Sequence, residues 1–382
     1  MRRAEPPPCL SLVICTLDES EAIGALLRET AAALSDLGHE ILVVDDSADD
    51  RTAAVVRAFA AVNPAIRLIR RQGARGLASA AIAGWDAARG EALAIMDGDG
   101  QHDPALLPRL AARLAEDGAD LAVASRYVAE GPSGLAPLRH LGSRAATLAA
   151  CLALGARTTD PMSGFFVMTR PWYEASRSKL SGVGFKILAD LMASGGRRPK
   201  VVELPASLRA RAGGSSKLDI RVVAELAALL IEKRSGGAIP SRFTLFACVG
   251  ATGLLVHLAT LSATRGIIGA PFWLAQAMAI LTAMTSNFFF NNALTFRDLR
   301  LKGRELGRGL MAFYLSCAGG AVIGEAAAAG LDRLGGHWIA SGFAGAVLAA
   351  LWNYWSASRA AWRIGGTTAA VEGEGRPVER PA

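Results

Sequence analysis

Cysteine is scarce in this chain and poorly spaced for the chemistry it often serves. The five residues, Cys9, Cys15, Cys151, Cys248 and Cys317, form no CxxC pair and no zinc-like cluster. Two of them fall inside apolar segments, so a disulfide framework and a structural zinc site are excluded and the thiols read as small, reduced core residues. No Ser-His-Asp or Cys-His set marks a nucleophilic hydrolase. Met1 to Pro8 holds Arg2 and Arg3 but passes through Pro6, Pro7 and Pro8 directly into a strand-like run, so no signal peptide is expected. Acidic residues are sparse after residue 235, and the long apolar runs begin just there.

That asymmetry divides the 382 residues. Residues 1–235 read as a soluble domain, 236–364 as a membrane domain of four helices, and 365–382, rich in Gly, Thr, Ala, Glu and Pro without periodicity, as a disordered tail. The hydrophobic fraction is 52% and the formal net charge +7. Several of the Arg residues lie in short loops between apolar runs, so a lipid membrane accounts for the charge better than nucleic acid does.

In the first part, β-leaning runs at Leu10–Cys15, Ile41–Val44, Ile66–Ile69 and Ala92–Met96 alternate with helical patterns reaching about Leu37, Val62 and Ala88. This spacing predicts a parallel, doubly wound α/β sheet. Polar residues follow the strand ends at Thr16–Glu19, Asp45–Asp46 and Asp97–Asp99, the edge where open α/β sheets bind ligands. In the second part, apolar segments at Phe243–Ala263, Phe272–Leu294, Leu310–Gly330 and Trp338–Ala357 each approach the length that crosses a bilayer. The loop Arg297–Arg308 carries Arg297, Arg300, Lys302, Arg304 and Arg308, with Arg242, Arg359 and Arg363 at the flanks, whereas the other loops carry only Arg265 and Arg333. The positive-inside rule then predicts a multi-pass protein of the cytoplasmic (inner) membrane, with the soluble domain facing the cytoplasm.

The sharpest chemical signal is Ile95-Met96-Asp97-Gly98-Asp99-Gly100-Gln101-His102, a strand ending in two carboxylates one residue apart. A diphosphate leaving group needs a hard divalent cation, and Mg²⁺ or Mn²⁺ prefers oxygen ligands of this kind. Asp99 and Gln101 are expected to hold the metal, with Asp97 beside the metal or the sugar; an ordinary acidic turn is the alternative.

Eight motifs occur in order: Cys15-Thr16-Leu17-Asp18-Glu19, Val43-Val44-Asp45-Asp46, Arg75 to Ala80, Asp97 to His102, Ser125-Arg126-Tyr127, Asp160-Pro161-Met162-Ser163-Gly164-Phe165-Phe166, Gly184 to Ile187, and Arg211 to Lys217. Together they resemble the family-2 glycosyltransferases of GT-A (Rossmann-like) fold, particularly the polyprenyl-phosphate (dolichol-phosphate) mannose synthases. The resemblance implies that Cys15, Leu17, Glu19, Asp45 and Asp46 cradle the nucleoside and that Asp97, Gly98, Asp99 and Gln101 organise the metal and diphosphate. It also implies that Arg211 and Lys217 close over the phosphates, that Arg126, Arg139 and Ser143 receive the lipid phosphate, and that Asp97, Asp99 and Arg126 carry catalysis. Arg forks suit phosphate oxygens, and Arg139 with Ser143 at i, i+4 would share a helix face. A phosphate oxygen attacks without losing a proton, so no general base is required.

Cys15, Leu17 and Asp18 replace the Pro, Tyr and Asn common in that family, Ser47-Ala48-Asp49-Asp50 replaces Gly-Ser-Pro-Asp, Gly100 a frequent Leu, and Asp190 a Glu. The implied donor is GDP-mannose, with a UDP-glucose enzyme, a non-catalytic lipid-sugar translocase or scaffold, and a processive polysaccharide synthase as alternatives; the last lacks its QxxRW motif here. Oligomeric state has no signature. His102 and Trp85 read as structural residues, with functional roles as the alternative. Arg144–Leu154 and Ile220–Ile231 read as amphipathic helices at the membrane surface or as core helices. Ser286 to Phe296 and Trp352-Asn353-Tyr354-Trp355 resemble the four-helix GtrA-like membrane domain, in which Asn287, Asn291, Asn292 and Asn353 would pair between helices or line a lipid path. Glu325 is the one carboxylate within a span, and its partner is open.

Overall fold

The computed structural model describes residues 8–71, 76–128, 158–182, 187–209, 220–335 and 337–362. They fall into two compact units that divide after Ala238.

The first unit is built on β1 (Leu10–Thr16), β2 (His39–Asp45), β3 (Ile66–Arg70), β4 (Ala92–Asp97), β5 (Leu121–Ser125), β6 (Phe166–Thr169) and β7 (Val201–Pro205). They form one sheet in the order β3-β2-β1-β4-β6-β5-β7. Each strand named from the sequence forms, and β1, β2, β3 and β4 are mutually parallel as expected. The fully parallel expectation needs correction at β6, which runs antiparallel to both β4 and β5. The strand is only four residues long and is entered directly from a turn at Asp160–Gly164.

Side chains alternate across the strands and feed two cores. Val13, Leu42, Val44, Leu93 and Ile95 face α3 (Leu77–Ala87), and Leu12, Ile14, Ile41, Val43 and Met96 share a core with α1 (Ile23–Ala33), α2 (Arg51–Val62) and α4 (Leu106–Glu116). On the first face Trp85 is completely buried, donates its indole N–H to the Ala94 carbonyl at 3.1 Å, and meets Phe166 and Tyr173 with ring centroids 6.0 and 5.4 Å away. Trp85 is therefore a core residue. Tyr173 lies on α5 (Arg170–Arg177), and α6 (Ile187–Ser194) and α7 (Ile220–Arg234) complete the unit. The core reading of the 220–231 segment holds for the described face of α7: Leu226 and Leu229 pack on Ala189, and Lys233 pairs with buried Asp190 at 2.5 Å. Residues 144–154 and the tail lie outside the described residues.

The second unit consists of α8 (Ser241–Ser262), α9 (Phe272–Phe290), α10 (Arg304–Arg333) and α11 (Trp338–Ala360), one helix on each expected apolar segment. Among the described residues two spans, Ser241–Ile267 and Arg304–Arg333, are long and apolar enough to cross a membrane. The expectation of four such spans is thus met by two, because Gln276, Thr282 and Asn287 dilute α9, and Ser341, Asn353 and Arg359 dilute α11. The unit is inside-out by the standards of a water-soluble bundle. Leu254, Leu255, Trp273, Leu315 and Phe343 are exposed, while Gly253, Ala275, Ala279, Ala283, Gly320 and Gly324 lie between helices. A Cβ on Gly324 would stand 2.8 Å from the Gly345 carbonyl oxygen, and one on Gly345 would strike Gly324 in return, so α10 and α11 touch backbone to backbone. Apart from one buried aromatic cluster, small residues at the helix contacts and large apolar residues outside suit a lipid surround, where close backbone approach replaces the hydrophobic effect as the packing force. This is a membrane protein.

The two hairpins α8–α9 and α10–α11 also repeat one another. Phe246, Gly253, Asn287, Phe288 and Phe296 of the first match Phe313, Gly320, Asn353, Tyr354 and Trp362 of the second, at the same spacing along the chain to within one residue. Their contacts are reciprocal: Phe288 lies 5.8 Å from Phe313 and Tyr354 lies 5.6 Å from Phe246. Matched residues also meet directly, Phe246 with Phe313 at 6.5 Å and Phe296 stacked on Trp362 at 4.1 Å. Both hairpins end on a hydrogen bond reaching five residues back, Phe296 N to Asn291 O and Trp362 N to Ala357 O. Self-matching contacts of this kind mark an approximate twofold relation. Gly253 and Gly320 each leave room for the amide of the matching Asn, Asn287 or Asn353. Asn291 and Asn292 instead serve the hairpin end, where Asn292 Oδ1 accepts from Leu301 N and from Trp362 Nε1. Glu325 is exposed on α10.

Replacing Trp85 with Ala removes a fully buried indole from its core, a change that typically costs about 3–5 kcal/mol. Denaturant unfolding of the full chain in detergent, followed by far-UV circular dichroism, is expected to show that loss; a shift of less than about 1 kcal/mol would contradict the burial described.

Candidate active site

Strand register brings the acidic residues to one edge. Thr16 pairs with Asp45 and Cys15 with Asp97, so the carboxyl ends of β1, β2 and β4 finish side by side. Beyond β4 the chain turns at Gly98, where a Cβ would stand 2.7 Å from Thr16 Cγ2 and 2.9 Å from the Cys15 carbonyl oxygen. Only glycine fits that approach. Gly100 serves differently, since it has open space but a φ of +74°. Between them Asp99 accepts the Gln101 N–H at 3.1 Å, which closes the turn.

The turn is braced from both sides. Gln101 Nε2 reaches the Arg209 carbonyl at 3.4 Å while Arg209 N–H donates to the Gln101 carbonyl at 2.9 Å. The Arg209 guanidinium in turn spans Glu29 at 2.5 Å and Asp103 at 3.1 Å. On the other side His102 Nε2 lies 3.5 Å from Asp97 Oδ2, with its ring 5.1 Å from that of Phe165. His102 thus belongs to the site, in contact with a residue expected to act there. A Cβ on Gly164 would come within 2.8 Å of the same Asp97 oxygen, so this carboxylate too has a glycine-sized seat.

Asp45 and Asp46 turn inward. Asp45 Oδ1 accepts from Thr16 Oγ1 at 3.0 Å and from Ser47 Oγ at 2.6 Å, and Ser47 Oγ in turn accepts the Asp18 N–H at 2.8 Å. Asp18 stands in the left-handed region with φ of 61°, a conformation that Asp and Asn tolerate better than most residues, so it can replace an Asn there. Asp46 is forked by Arg71 at 2.7 and 2.5 Å and accepts the Gly76 N–H at 3.1 Å, tying the start of α3 to the end of β2. Burial pushes the Cys15 thiol well above its usual range, helped by the nearby Asp97 and Asp46 charges, so it stays protonated and is neither nucleophile nor thiolate ligand. Leu17 is 48% exposed on the same rim, beside Glu19.

At the end of β5, Arg126 forms a two-pronged pair with Asp160, Nε to Oδ2 at 2.7 Å and Nη2 to Oδ1 at 2.8 Å. Hydrogen bonding to Asp160 holds the guanidinium above its ordinary value, against the opposing effect of burial. Arg71 and Asp160 are the residues whose roles the sequence did not assign, although Asp160 stands in a motif that it displayed. Arg139, Ser143, Arg211 and Lys217 lie outside the described residues.

Among the described residues no group of three or more His, Cys, Asp or Glu side chains is placed to hold a metal. Asp97, Asp99 and Gln101 nevertheless offer two carboxylates and an amide at one turn, the donor chemistry of Mg²⁺ or Mn²⁺, and such ions ordinarily complete their shell with substrate phosphates and water. Gln101 spends its amide nitrogen on the chain, which leaves oxygen as the donor it could present to a cation.

The glycosyl transferase family 2 profile matches residues 11–176, and the GtrA/DPMS transmembrane domain profile matches residues 245–362. A dolichol-phosphate mannosyltransferase of Pyrococcus furiosus is 33% identical over 89% of this chain and 95% of its own. An undecaprenyl-phosphate mannosyltransferase of Micrococcus luteus is 32% identical over 56% of this chain and 88% of its own. Among solved structures, a glucosyl-3-phosphoglycerate synthase from Mycobacterium tuberculosis superposes with a TM-score of 0.43 at 20% identity, covering 59% of this chain and 80% of that one.

The two glycines of the acidic turn are separable by experiment. Gly98→Ala collides with backbone and is expected to cost about 1–3 kcal/mol, whereas Gly100→Ala meets only the left-handed backbone penalty of about 1 kcal/mol. Thermal unfolding of the full chain in detergent ranks them; a Gly98→Ala protein as stable as the parent would refute the close approach to β1.

Proposed function

We propose, from the premise that this chain belongs to the dolichol-phosphate mannosyltransferases of glycosyl transferase family 2, that it transfers one mannose from GDP-mannose to a polyprenyl phosphate. The observation that carries this is the meeting, on one strand edge, of an acidic turn suited to a metal diphosphate with an Arg suited to a second phosphate. Asp97, Asp99 and Gln101 would hold Mg²⁺ or Mn²⁺, which when bound neutralises the diphosphate and supports its departure. Cys15, Leu17, Glu19, Asp45 and Asp46 form the nucleoside side; Asp46 fixes the start of α3, and Asp45 fixes the loop after β1 through Oδ1 while its Oδ2 has no hydrogen-bond partner among the described residues. Arg126, with Arg139 and Ser143, draws the acceptor phosphate in beside an already anionic donor, and Arg211 and Lys217 cover the phosphates.

Reaction requires in-line approach of a phosphate oxygen to the anomeric carbon, opposite the departing nucleoside diphosphate. The acceptor oxygen carries no proton at that moment, so the site needs orientation and charge compensation rather than a base. Attack from the opposite face inverts the anomeric centre, giving a β-linked lipid product from an α-linked donor. The catalytic domain spans residues 1–235 and the membrane domain 236–364. The basic loop Arg297–Arg308 and its flanking Arg residues support a multi-pass arrangement in the cytoplasmic membrane with the catalytic domain on the cytoplasmic side, where nucleotide-sugars are made.

Purified protein in detergent, given Mn²⁺, polyprenyl phosphate and radiolabelled GDP-mannose, is expected to move label into the lipid phase. Asp99→Ala should lower that rate by about 10²–10³-fold, the usual effect of removing one charge-stabilising group. Label entering lipid from UDP-glucose and not from GDP-mannose would overturn the choice of sugar, and transfer undiminished in Asp99→Ala would overturn the metal assignment.

A further inference from the structure

The turn Asp160–Gly164 touches both halves of the site. At one end Asp160, fully buried, grips Arg126 through both carboxylate oxygens, and Oδ2 also accepts the Arg126 backbone N–H at 3.3 Å. At the other end Gly164 forms the seat against which the Asp97 carboxylate rests. The turn itself is pinned: Ser163 N–H donates to the Asp160 carbonyl at 3.2 Å, and Ser163 Oγ donates to the Ala124 carbonyl at 2.8 Å. The preceding residues are held as well, since Glu203 on β7 accepts from Thr158 Oγ1 at 2.7 Å and from Thr159 N–H at 2.8 Å. Five consecutive residues therefore bridge an Arg on the acceptor side and an Asp on the donor side, and both ends are fixed to the sheet.

The pairing also decides which part of the guanidinium is available. Asp160 occupies Nε and Nη2, the side edge of the fork, so the Nη1 end is left to project from a side chain that is 37% exposed. The Asp97 charge acts on Arg126, which places the two within electrostatic reach. An unpaired Arg has several rotatable bonds and would sample many orientations; an Arg clamped along one edge presents one.

We infer that Asp160 is a positioning residue for the acceptor. It aims the Nη1 end of Arg126 at the incoming phosphate and, through the pinned turn to Gly164, sets the separation between that phosphate and the donor held at Asp97. The inference rests on the reading of Arg126 as an acceptor-phosphate residue, and it extends that reading to a residue which touches neither substrate. Asp160 acts only through Arg126, so its removal should weaken acceptor use and leave donor use in place.

The test is a steady-state comparison of the full chain with Asp160→Asn, Asp160→Glu, Arg126→Ala and the Arg126→Ala/Asp160→Asn double variant. Acceptor and donor concentrations are varied separately, and melting temperature and Mn²⁺ affinity are measured alongside. Asp160→Asn keeps the shape and loses the charge, while Asp160→Glu keeps the charge and displaces it. Both are expected to raise the KM for polyprenyl phosphate about tenfold, with the KM for GDP-mannose and the Mn²⁺ affinity changed by less than about twofold. In the Arg126→Ala background, Asp160→Asn should add nothing, because the pair acts as one unit. Equal rises in both KM values together with a lowered melting temperature would reduce Asp160 to a structural residue and overturn the inference. Additive effects in the double variant would overturn it too. If Arg126→Ala itself leaves the acceptor KM unchanged, the acceptor reading of Arg126 fails and the inference falls with it, an outcome distinct from a failure at Asp160 alone.

Discussion

The close approach of β4 to β1 at Gly98 is the constraint on which the site depends. Two strands of a parallel sheet run in register until Cys15 meets Asp97, and then the chain must turn away without a side chain in the gap. That turn sets where Asp97 and Asp99 emerge, and the bracing by Gln101, Arg209 and His102 is arranged around it. A carboxylate pair beside an anionic substrate has no intrinsic reason to stay together; rigid backbone holds it, at a cost met by the two buried cores on either side.

Four acidic residues end neighbouring strands, and the structure gives them opposite duties. Asp45 and Asp46 are buried and held by Thr16, Ser47 and Arg71, so they stiffen the loops on which other groups ride. Asp97 ends β4 and Asp99 lies in the turn beyond it, both only partly buried and so within reach of a ligand. The same logic divides the arginines: Arg71 is consumed inside, whereas Arg126 keeps one end beyond its pairing. Charge at this edge is therefore sorted by burial into groups the fold uses up and groups left within reach of a ligand, and sequence position alone does not reveal which is which.

Much of the architecture was legible because period and length carry it. The alternation of short apolar strands with helices reported the Rossmann-like half, and the long apolar runs reported the four helices of the membrane unit, each appearing where its pattern lies. The reversed β6 was not legible: Phe166-Val167-Met168-Thr169 is four apolar or neutral residues that look alike read in either direction, and its orientation comes from the turn before it. The acidic turn was visible as a motif, yet its dependence on Gly98 and Gly164 is a matter of a few tenths of an ångström that no composition reports. Asp160 and Arg71 were overlooked as agents for a similar reason, since a residue that works by gripping another has its meaning in a distance. The halved count of membrane-grade spans has a simple origin: polar residues such as Gln276, Thr282 and Asn287 lower an average taken along the chain, whichever way they face.

The antiparallel strand has one further effect. Because β5 runs toward the substrate edge and β6 runs away from it, the chain leaves the sheet at Arg126 and rejoins it at Phe166 on the same side. The described ends of that connection, Arg126 and Asp160 to Phe166, therefore stand at one edge of the sheet, which is why a short turn can pair with Arg126 and still pack against Asp97. A connection with both ends fixed at one edge can gain or lose residues while the seven strands keep their pairing, since added length between fixed ends carries little entropic penalty. The length of that connection is in this way uncoupled from the sheet that holds the fold.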